Sequence, residues 1–349
     1  MGRNRVKWLI TGGCGFIGSN LADALLGRGD EVVLVDNLSR IGSSENLAWL
    51  RSRYGESWRF ADVDVCDADA TAHIVAFERP GVVAHLAGQV AMTTSLADPR
   101  LDFETNARGT FNMLEAVRLG APETVFLYSS TNKVYGSLEN IDAVERDTHY
   151  ELPAYPNGLD ESLQIDGYSP YGCSKLAADQ YVRDYHRMYG LRTTVFRHSS
   201  MYGGRQYATY DQGWIGWFCM KALEMGDPSA PPFTISGNGK QVRDALHGSD
   251  LVAAYFAAVE HPDAVAGHIY NIGGGASNAL SLLELFRLLE DLTGNTLRFV
   301  AGPWRPGDQK VFVADTTNAE QDFGWRPTVN ARTGITAMLE WVRELRFEE

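Results

Sequence analysis

Tyr171 and Lys175 stand four residues apart in the segment Ser169-Pro170-Tyr171-Gly172-Cys173-Ser174-Lys175. That spacing places both side chains on one face of a helix opened by Pro170. A phenol with its ordinary pKa near 10 is a poor base at neutral pH, but a neighbouring ammonium favours the phenolate. Lowering the pKa by about three units takes roughly 4 kcal/mol of differential stabilisation, within reach of a close cation in a partly dry site. Tyr171 would then pass a proton to and from a substrate alcohol. An exposed helix pair is the ordinary alternative for any Tyr-x-x-x-Lys. This pair has company, because the run Val125-Phe126-Leu127-Tyr128 reads as a strand that delivers Ser129, Ser130 and Thr131 to the C-terminal edge of a sheet, where open α/β folds bind ligands. A Thr131 hydroxyl there would orient the alcohol.

A second chemical feature is the glycine-rich run Thr11-Gly12-Gly13-Cys14-Gly15-Phe16-Ile17-Gly18, with Gly-x-x-Gly-x-x-Gly spacing directly after the first apolar segment. A tight strand-to-helix turn needs residues without a Cβ so that the backbone can approach a pyrophosphate, whose charge the following helix's N–H groups then stabilise. Gly12, Gly15 and Gly18 fit those roles. Eighteen residues beyond Gly18 stands Asp36, a carboxylate that accepts hydrogen bonds from an adenosine ribose and repels a 2′-phosphate. The pattern favours NAD over NADP; Arg40, four residues on, is the one detail on the other side. A positively charged nicotinamide would further favour the Tyr171 phenolate.

The elements that must position these groups are legible in outline. Trp8 to Thr11, Val32 to Asp36, Arg59 to Val65, Val82 to Leu86, Thr124 to Ser129 and Thr193 to Arg197 are short strand-like runs separated by amphipathic stretches. This is the alternation of a parallel sheet with helices on both faces. Val32 to Val35 and Val125 to Leu127 are apolar throughout, as strands covered on both sides must be. After about residue 200 the rhythm changes to an aromatic segment from Tyr202 to Phe218, a Pro-rich stretch from Asp227 to Pro232, and helical patterns at Leu251 to Glu260 and Leu280 to Leu292. Ser277 to Ser281 carries start signals for the last helix, and Gly294 a stop.

The chain has 349 residues, with 31 basic against 44 acidic side chains and a net charge of −13. That balance repels nucleic acid and anionic membranes, so any phosphate must be gripped by locally placed arginines and backbone N–H groups. Arg197, Arg205, Arg243 and Arg305 are the candidates. No apolar run approaches the roughly 20 residues of a membrane span. Cys14, Cys66, Cys173 and Cys219 are widely spaced, which suits a reducing cytoplasm, and the histidines show no metal-ligand spacing, so no metal is expected. His85, on an apolar strand, reads as a structural histidine. Trp214, Trp217 and Phe218 read as core or subunit interface and are left outside the site.

Gly12 to Gly18, Asp36, Asp64-Val65, His85-Leu86-Ala87-Gly88, Asn106, Ser129 to Gly136, Tyr171 to Lys175, Arg243-Asp244 and Arg305-Pro306-Gly307-Asp308 follow the order and approximate spacing of the extended short-chain dehydrogenase/reductase family. The chain resembles that family along nearly its whole length. The resemblance implies a Rossmann-like doubly wound parallel sheet binding NAD in residues 1–200. It implies a smaller C-terminal domain, mainly binding a nucleotide sugar, in 201–349, with the chain crossing between the two. Thr131, Tyr171 and Lys175 match the family's catalytic triad. The candidate cofactor site comprises Gly12, Gly15, Phe16, Ile17, Gly18, Asp36, Asn37, Ser39, Arg40, Asp64, Val65, Leu86, Ala87, Gln89, Asn106, Ser129, Tyr171, Lys175 and His198. The candidate substrate site comprises Thr94, Asn132, Ser200, Arg205, Arg243 and Arg305; Ser200 departs from the asparagine many relatives carry.

Ala87 to Ser95, Ser129 to Gly136, Phe196 to Gln206 and Tyr210 to Phe218 are similar to 2-epimerases of that family. They imply NAD-dependent inversion at C2 of a CDP-linked 3,6-dideoxyhexose through a 2-keto sugar. A nucleotide-sugar 4-epimerase would show the same triad, and a reductase releasing its cofactor shares the scaffold. A 4,6-dehydratase needs an acid and a base after the threonine, where Asn132 and Lys133 stand here. Non-catalytic dinucleotide sensors of this fold usually lack the tyrosine or lysine. Relatives pair through helices that include the Tyr171 to Met188 stretch, which implies a homodimer or homotetramer.

Overall fold

The computed structural model describes residues 5–305 and 307–347, so Pro306 of the Arg305-to-Asp308 motif lies outside the described residues. Seven parallel strands form the main sheet: β1 (Lys7–Thr11), β2 (Glu31–Asp36), β3 (Arg59–Asp62), β4 (Val82–His85), β5 (Val125–Thr131), β6 (Arg192–His198) and β7 (Ile269–Ile272). Their spatial order is β7-β6-β5-β4-β1-β2-β3. The order reverses between β1 and β4, and at such a switch point the flanking connections leave in opposite directions and open a crevice.

Alternation along each strand sends neighbours to opposite faces. Ile10, Val32, Leu34, Ala84, Leu127 and Phe196 join one buried core; Leu9, Val33, Val35, Val83, Phe126 and Val195 join the other. The helices over the first face include Phe16–Arg28 and Gly248–Glu260, those over the second Gly109–Gly120 and Ser169–Tyr189. Both faces are covered, which is why the strands read as unbroken apolar runs.

Several boundaries differ from the sequence expectation by one to three residues, two of them for a clear local reason. The run Arg59 to Val65 stops pairing at Asp62, because the Asp64 carboxylate accepts the Cys66 N–H at 2.8 Å and turns the chain. The helix expected from Leu280 begins at Leu282. Ser281 caps it reciprocally with Glu284, while Ala279–Ser281 pairs as a strand with Val242–Asp244. Gly294, at φ 73°, ends that helix as anticipated.

β7 was not anticipated. After the chain has built part of the C-terminal region it returns to the main sheet, where β7 pairs with β6 from Ile269↔Val195 to Ile272↔His198. The rest of that region has its own core of Tyr202, Phe218, Phe233, Phe286, Leu289 and Met338. Among the described residues no helix is long and apolar enough to cross a membrane.

Candidate active site

A single cleft of about 850 Å³ runs along the C-terminal edge of the main sheet and up against the C-terminal region. Every residue nominated from the sequence for catalysis, cofactor or substrate lines it, with the exceptions of Asn106 and Arg197. The glycine loop forms its floor. Gly12 adopts φ +65°, and a Cβ there would stand 2.7 Å from the Ala87 backbone nitrogen; a Cβ on Gly18 would stand 2.3 Å from the Gly12 carbonyl oxygen. Only glycine lets the turn, the following helix and the loop after β4 close this tightly, leaving the helix N-terminus facing the cleft. Asp36, buried at the end of β2, accepts the N–H groups of Cys14 (2.9 Å) and Leu38 (2.8 Å), and burial raises its pKa. Those two bonds fix the carboxylate at the cleft wall. A glycine cradle, a helix N-terminus and an acidic strand end together fit a dinucleotide.

The hydroxyl and amine cluster sits at the ends of β5 and on the Ser169–Tyr189 helix. The Thr131 hydroxyl is near enough to Tyr171 to favour its phenolate, and it also accepts the Lys133 N–H at 3.3 Å. Lys175 does not point at Tyr171: its Nζ donates to the Ser129 carbonyl at 2.5 Å and lies 4.5 Å from the centroid of the Tyr128 ring. The expectation that this ammonium lowers the phenol's pKa is therefore corrected. Burial pushes Tyr171 up to about 12, the Thr131 hydroxyl works against that, and the Asp102 carboxylate adds to it. Burial also lowers Lys175 to about 7, with Asp102 and Asp179 opposing. A protein environment alone leaves the tyrosine a proton donor; further positive charge in the cleft is needed to make it a base.

Asn106 is placed otherwise than expected. Its Oδ1 accepts the Gln89 N–H (2.9 Å), and its Nδ2 faces the Gln89 carbonyl (3.0 Å), the Ser174 hydroxyl (3.1 Å) and Asp102 (3.2 Å). All its bonding capacity is spent behind the cleft wall. The side chain of Gln89 is similarly occupied, by both polar groups of Ala91 and by Asp102, so what it presents to the cleft is backbone and methylene.

The arginines separate into three groups. Arg197 is not a phosphate ligand: it is 2% exposed, and its Nε and Nη2 each lie 2.9 Å from Asp179 while Nη1 donates to Tyr135. Period two explains the misreading, since His198 faces the cleft and its neighbour must face the opposite helix layer. Arg205 lines the cleft but stacks on Trp49 at 4.2 Å. Arg243 and Arg305 do converge on the far wall. Arg243 Nη2 donates to Asp308 at 2.6 Å, and Arg305 Nε donates to Ser236 at 3.1 Å. Lys133, which sequence reasoning noted only as the absence of a carboxylate, joins them with Nζ 3.4 Å from Asp308, its pKa lowered by burial to about 8.

His85 is wholly enclosed between Thr11 (2.6 Å) and Thr110 (3.0 Å), as a structural histidine should be, and burial depresses it to about 3. His198 lines the cleft; Nε2 lies 3.3 Å from the Tyr255 hydroxyl and Nδ1 has no partner. The aromatic segment left outside the site belongs partly inside it: Trp214, Trp217 and Phe218 all line the cleft, and Trp214 Nε1 donates to Ser200 at 3.2 Å. Phe218 also packs in the C-terminal core, so one helix serves both ends. Its indole and phenyl groups fall at helical spacing whichever role they take, and spacing could not distinguish the two.

Sheet order, switch-point crevice and glycine cradle define a Rossmann-like α/β protein. Residues 9–338 match the family described as GDP-mannose 4,6 dehydratase, and the chain belongs to that family. It is similar to the CDP-paratose 2-epimerase of Salmonella typhi, with 51% identity over 97% of this chain and 100% of the relative. Among solved structures it is similar to the UDP-glucose 4-epimerase of Thermotoga maritima with UDP-glucose (TM-score 0.82, 30% identity, 97% of this chain and 99% of that one). It is also similar to the UDP-glucuronic acid 4-epimerase of Bacillus cereus in complex with UDP-glucuronic acid and NAD (TM-score 0.81, 26% identity, 97% and 99%).

Proposed function

We propose that this chain is an NAD-dependent isomerase that inverts C2 of a CDP-linked 3,6-dideoxyhexose, converting CDP-paratose to CDP-tyvelose. The observation that carries the reading is the 51% identity, end to end, with a CDP-paratose 2-epimerase. It is supported by one cleft bringing the glycine cradle, Thr131, Tyr171 and Lys175 together with Arg243 and Arg305. Bound NAD supplies the reversible hydride acceptor and a ring positive charge in the cleft.

In this reading Tyr171 takes the proton of the C2 hydroxyl and returns it after the 2-keto sugar has turned over, with no net redox change. Thr131 orients the hydroxyl. Arg243 and Arg305 hold the pyrophosphate with bidentate forks while the sugar reorients, Arg243 leaving Asp308 and Arg305 leaving Ser236 for it. Gly12, Gly15 and Gly18 with the following helix cradle the dinucleotide, and Asp36, with Asp64 and Val65 nearby, takes its adenosine end. The family's description as a dehydratase does not transfer: Asn132 and Lys133 offer no carboxyl acid or carboxylate base for elimination.

A second copy is the proposed partner. Phe103, Phe111, Tyr181, Met188 and Tyr189 are 40 to 68% exposed, and Phe111 meets Tyr181 edge to face. An exposed apolar face of this kind suits a homodimer or homotetramer in the cytoplasm. Equilibrium sedimentation tests it, and a monomer at micromolar concentration rejects it.

The function is tested by NMR of the purified protein with CDP-paratose in deuterated water and no added NAD. Inversion at C2 without deuterium at that carbon is the expected result. Conversion at C4 instead would replace the 2-epimerase by a 4-epimerase.

A further inference from the structure

Two carboxylates are enclosed beside Lys175, and the mechanism above uses neither. Asp179 is committed to Arg197 on two sides. Asp102, wholly buried, has no arginine. Its Oδ1 accepts from Gln89 Nε2 (2.9 Å) and Asn106 Nδ2 (3.2 Å), and its Oδ2 accepts the Ser174 hydroxyl. All three neighbours donate. Burial raises the pKa of Asp102, and the Ser174 hydroxyl, the nearby Lys175 and the two amide donors on Oδ1 work against that in favour of the carboxylate.

The three donors belong to three elements: the loop after β4, the π-helical turn Glu104–Arg108, and the helix in which Ser174 precedes Lys175. Ser174 also lies 3.1 Å from the Tyr171 carbonyl and directly precedes Lys175, so the network reaches the backbone that carries both proton-handling residues. We propose that Asp102 is a positioning residue: an enclosed carboxylate that serves as a counter-charge to the Lys175 ammonium, while its hydrogen bonds lock the loop after β4 to the helix that carries Tyr171 and Lys175. The inference rests on the reading of Lys175 and Tyr171 given above, but its first measurement needs no turnover.

The other groups facing this pair do not supply the charge. His85 from β4 and His198 from β6 are held neutral, each depressed by burial to about 3. The Tyr128 phenol of β5 is pushed well above its usual range by burial and stays neutral. Asp179 acts on Lys175 from the same helix but is offset by Arg197.

The protein has six lysines, so the Lys175 signal of 13C-lysine-labelled protein can be assigned with Lys175→Arg and titrated by NMR. Asp102→Asn is expected to lower the Lys175 midpoint by about one pH unit. Asp102→Glu, which keeps the charge, should restore it. In the epimerase assay the whole pH profile of Asp102→Asn should move towards acid, because one carboxylate raises both groups; a purely structural role lowers the profile without moving it. Should Asp102→Asn not fold, Ser174→Ala takes its place. The lost donor lets Asp102 take up a proton at higher pH, and the Lys175 midpoint should fall by a smaller amount. An unmoved midpoint in the folded variant overturns the proposal, even if activity drops. Absence of epimerisation by the unaltered protein would overturn the functional reading and leave the lysine titration to decide this one.

Discussion

The two walls of the cleft handle charge in opposite ways. On the sheet wall, Lys175 and Asp102 are buried among neutral donors and acceptors, and Arg197 and Asp179 saturate each other. On the facing wall, Arg243 and Lys133 share the single carboxylate of Asp308, with side chains 12 to 19% exposed. An enclosed group with fixed neutral partners answers a nearby charge by shifting its pKa. A partly solvated cation answers by changing partner. In the proposed function the first wall moves protons and the second grips and releases an anion, and the acidic balance of the chain makes that local cluster the more necessary.

The sharpest way to break this division is Tyr171→Phe. It should cut kcat by about 10²- to 10⁴-fold while NAD released from the denatured protein stays equimolar; a loss below tenfold removes Tyr171 from the chemistry. Next in size, Arg197→Met strands the Asp179 charge and should cost about 3–5 kcal/mol in urea unfolding. Replacing both partners with apolar residues should recover most of it. A single variant no less stable than the parent would mean that the pair is already solvated.

On the facing wall, Arg243→Ala should raise KM for the CDP-sugar about 10- to 100-fold, the worth of a charge-assisted hydrogen bond, with kcat falling much less. A matching drop in kcat would place this arginine in the chemical step and blur the contrast. The smallest effect concerns His198, whose pKa is held near 3 in the folded chain against an ordinary 6.5. A depressed pKa gives stability that is present above the unfolded value and lost as pH falls from 6.5 towards 3. The stability advantage of the parent over His198→Phe should therefore shrink below pH 6.5, by up to about 1.4 kcal/mol per pH unit. A difference that is flat from pH 7.5 to 5 would show that the imidazole takes up its proton freely.

The sheet wall was the more legible in sequence. β1, β2, β4 and β5 announce themselves as unbroken apolar runs because both faces are covered, and chemistry placed at their C-terminal ends follows from the topology. Gly12, Asp36 and Thr131 follow from that topology, and Tyr171 from its spacing to Lys175. What sequence could not give was the state of the groups: Tyr171 and Lys175 share a helix face, yet burial shifts both and the Asp102 carboxylate adds its charge, an environment set by tertiary packing. Asp102 does stand four residues before Asn106, a helical spacing that would have put both on one face had it been read. Lys133 and Asp308 meet across 175 residues of chain, a pairing no local pattern carries. β7 escaped for a related reason. Its four residues include Asn271, whose side chain is satisfied by Tyr135 and Leu159, partners visible only once the chain has folded.

That late strand also bears on how the protein is made. β6 ends at residue 198 and its outer neighbour begins at 269, so while the intervening seventy or so residues are still being synthesised, β6 has its inner hydrogen bonds to β5 but an open edge on the other side. Bare strand edges recruit other strands. A ribosome paused anywhere in that interval would present a nearly complete nucleotide fold with one adhesive side, and truncated products ending there should be the ones that aggregate or engage chaperones. Closure comes only when β7 arrives, after Arg243 but before Arg305 and Asp308 have been made, so the sheet is sealed before the substrate wall is complete.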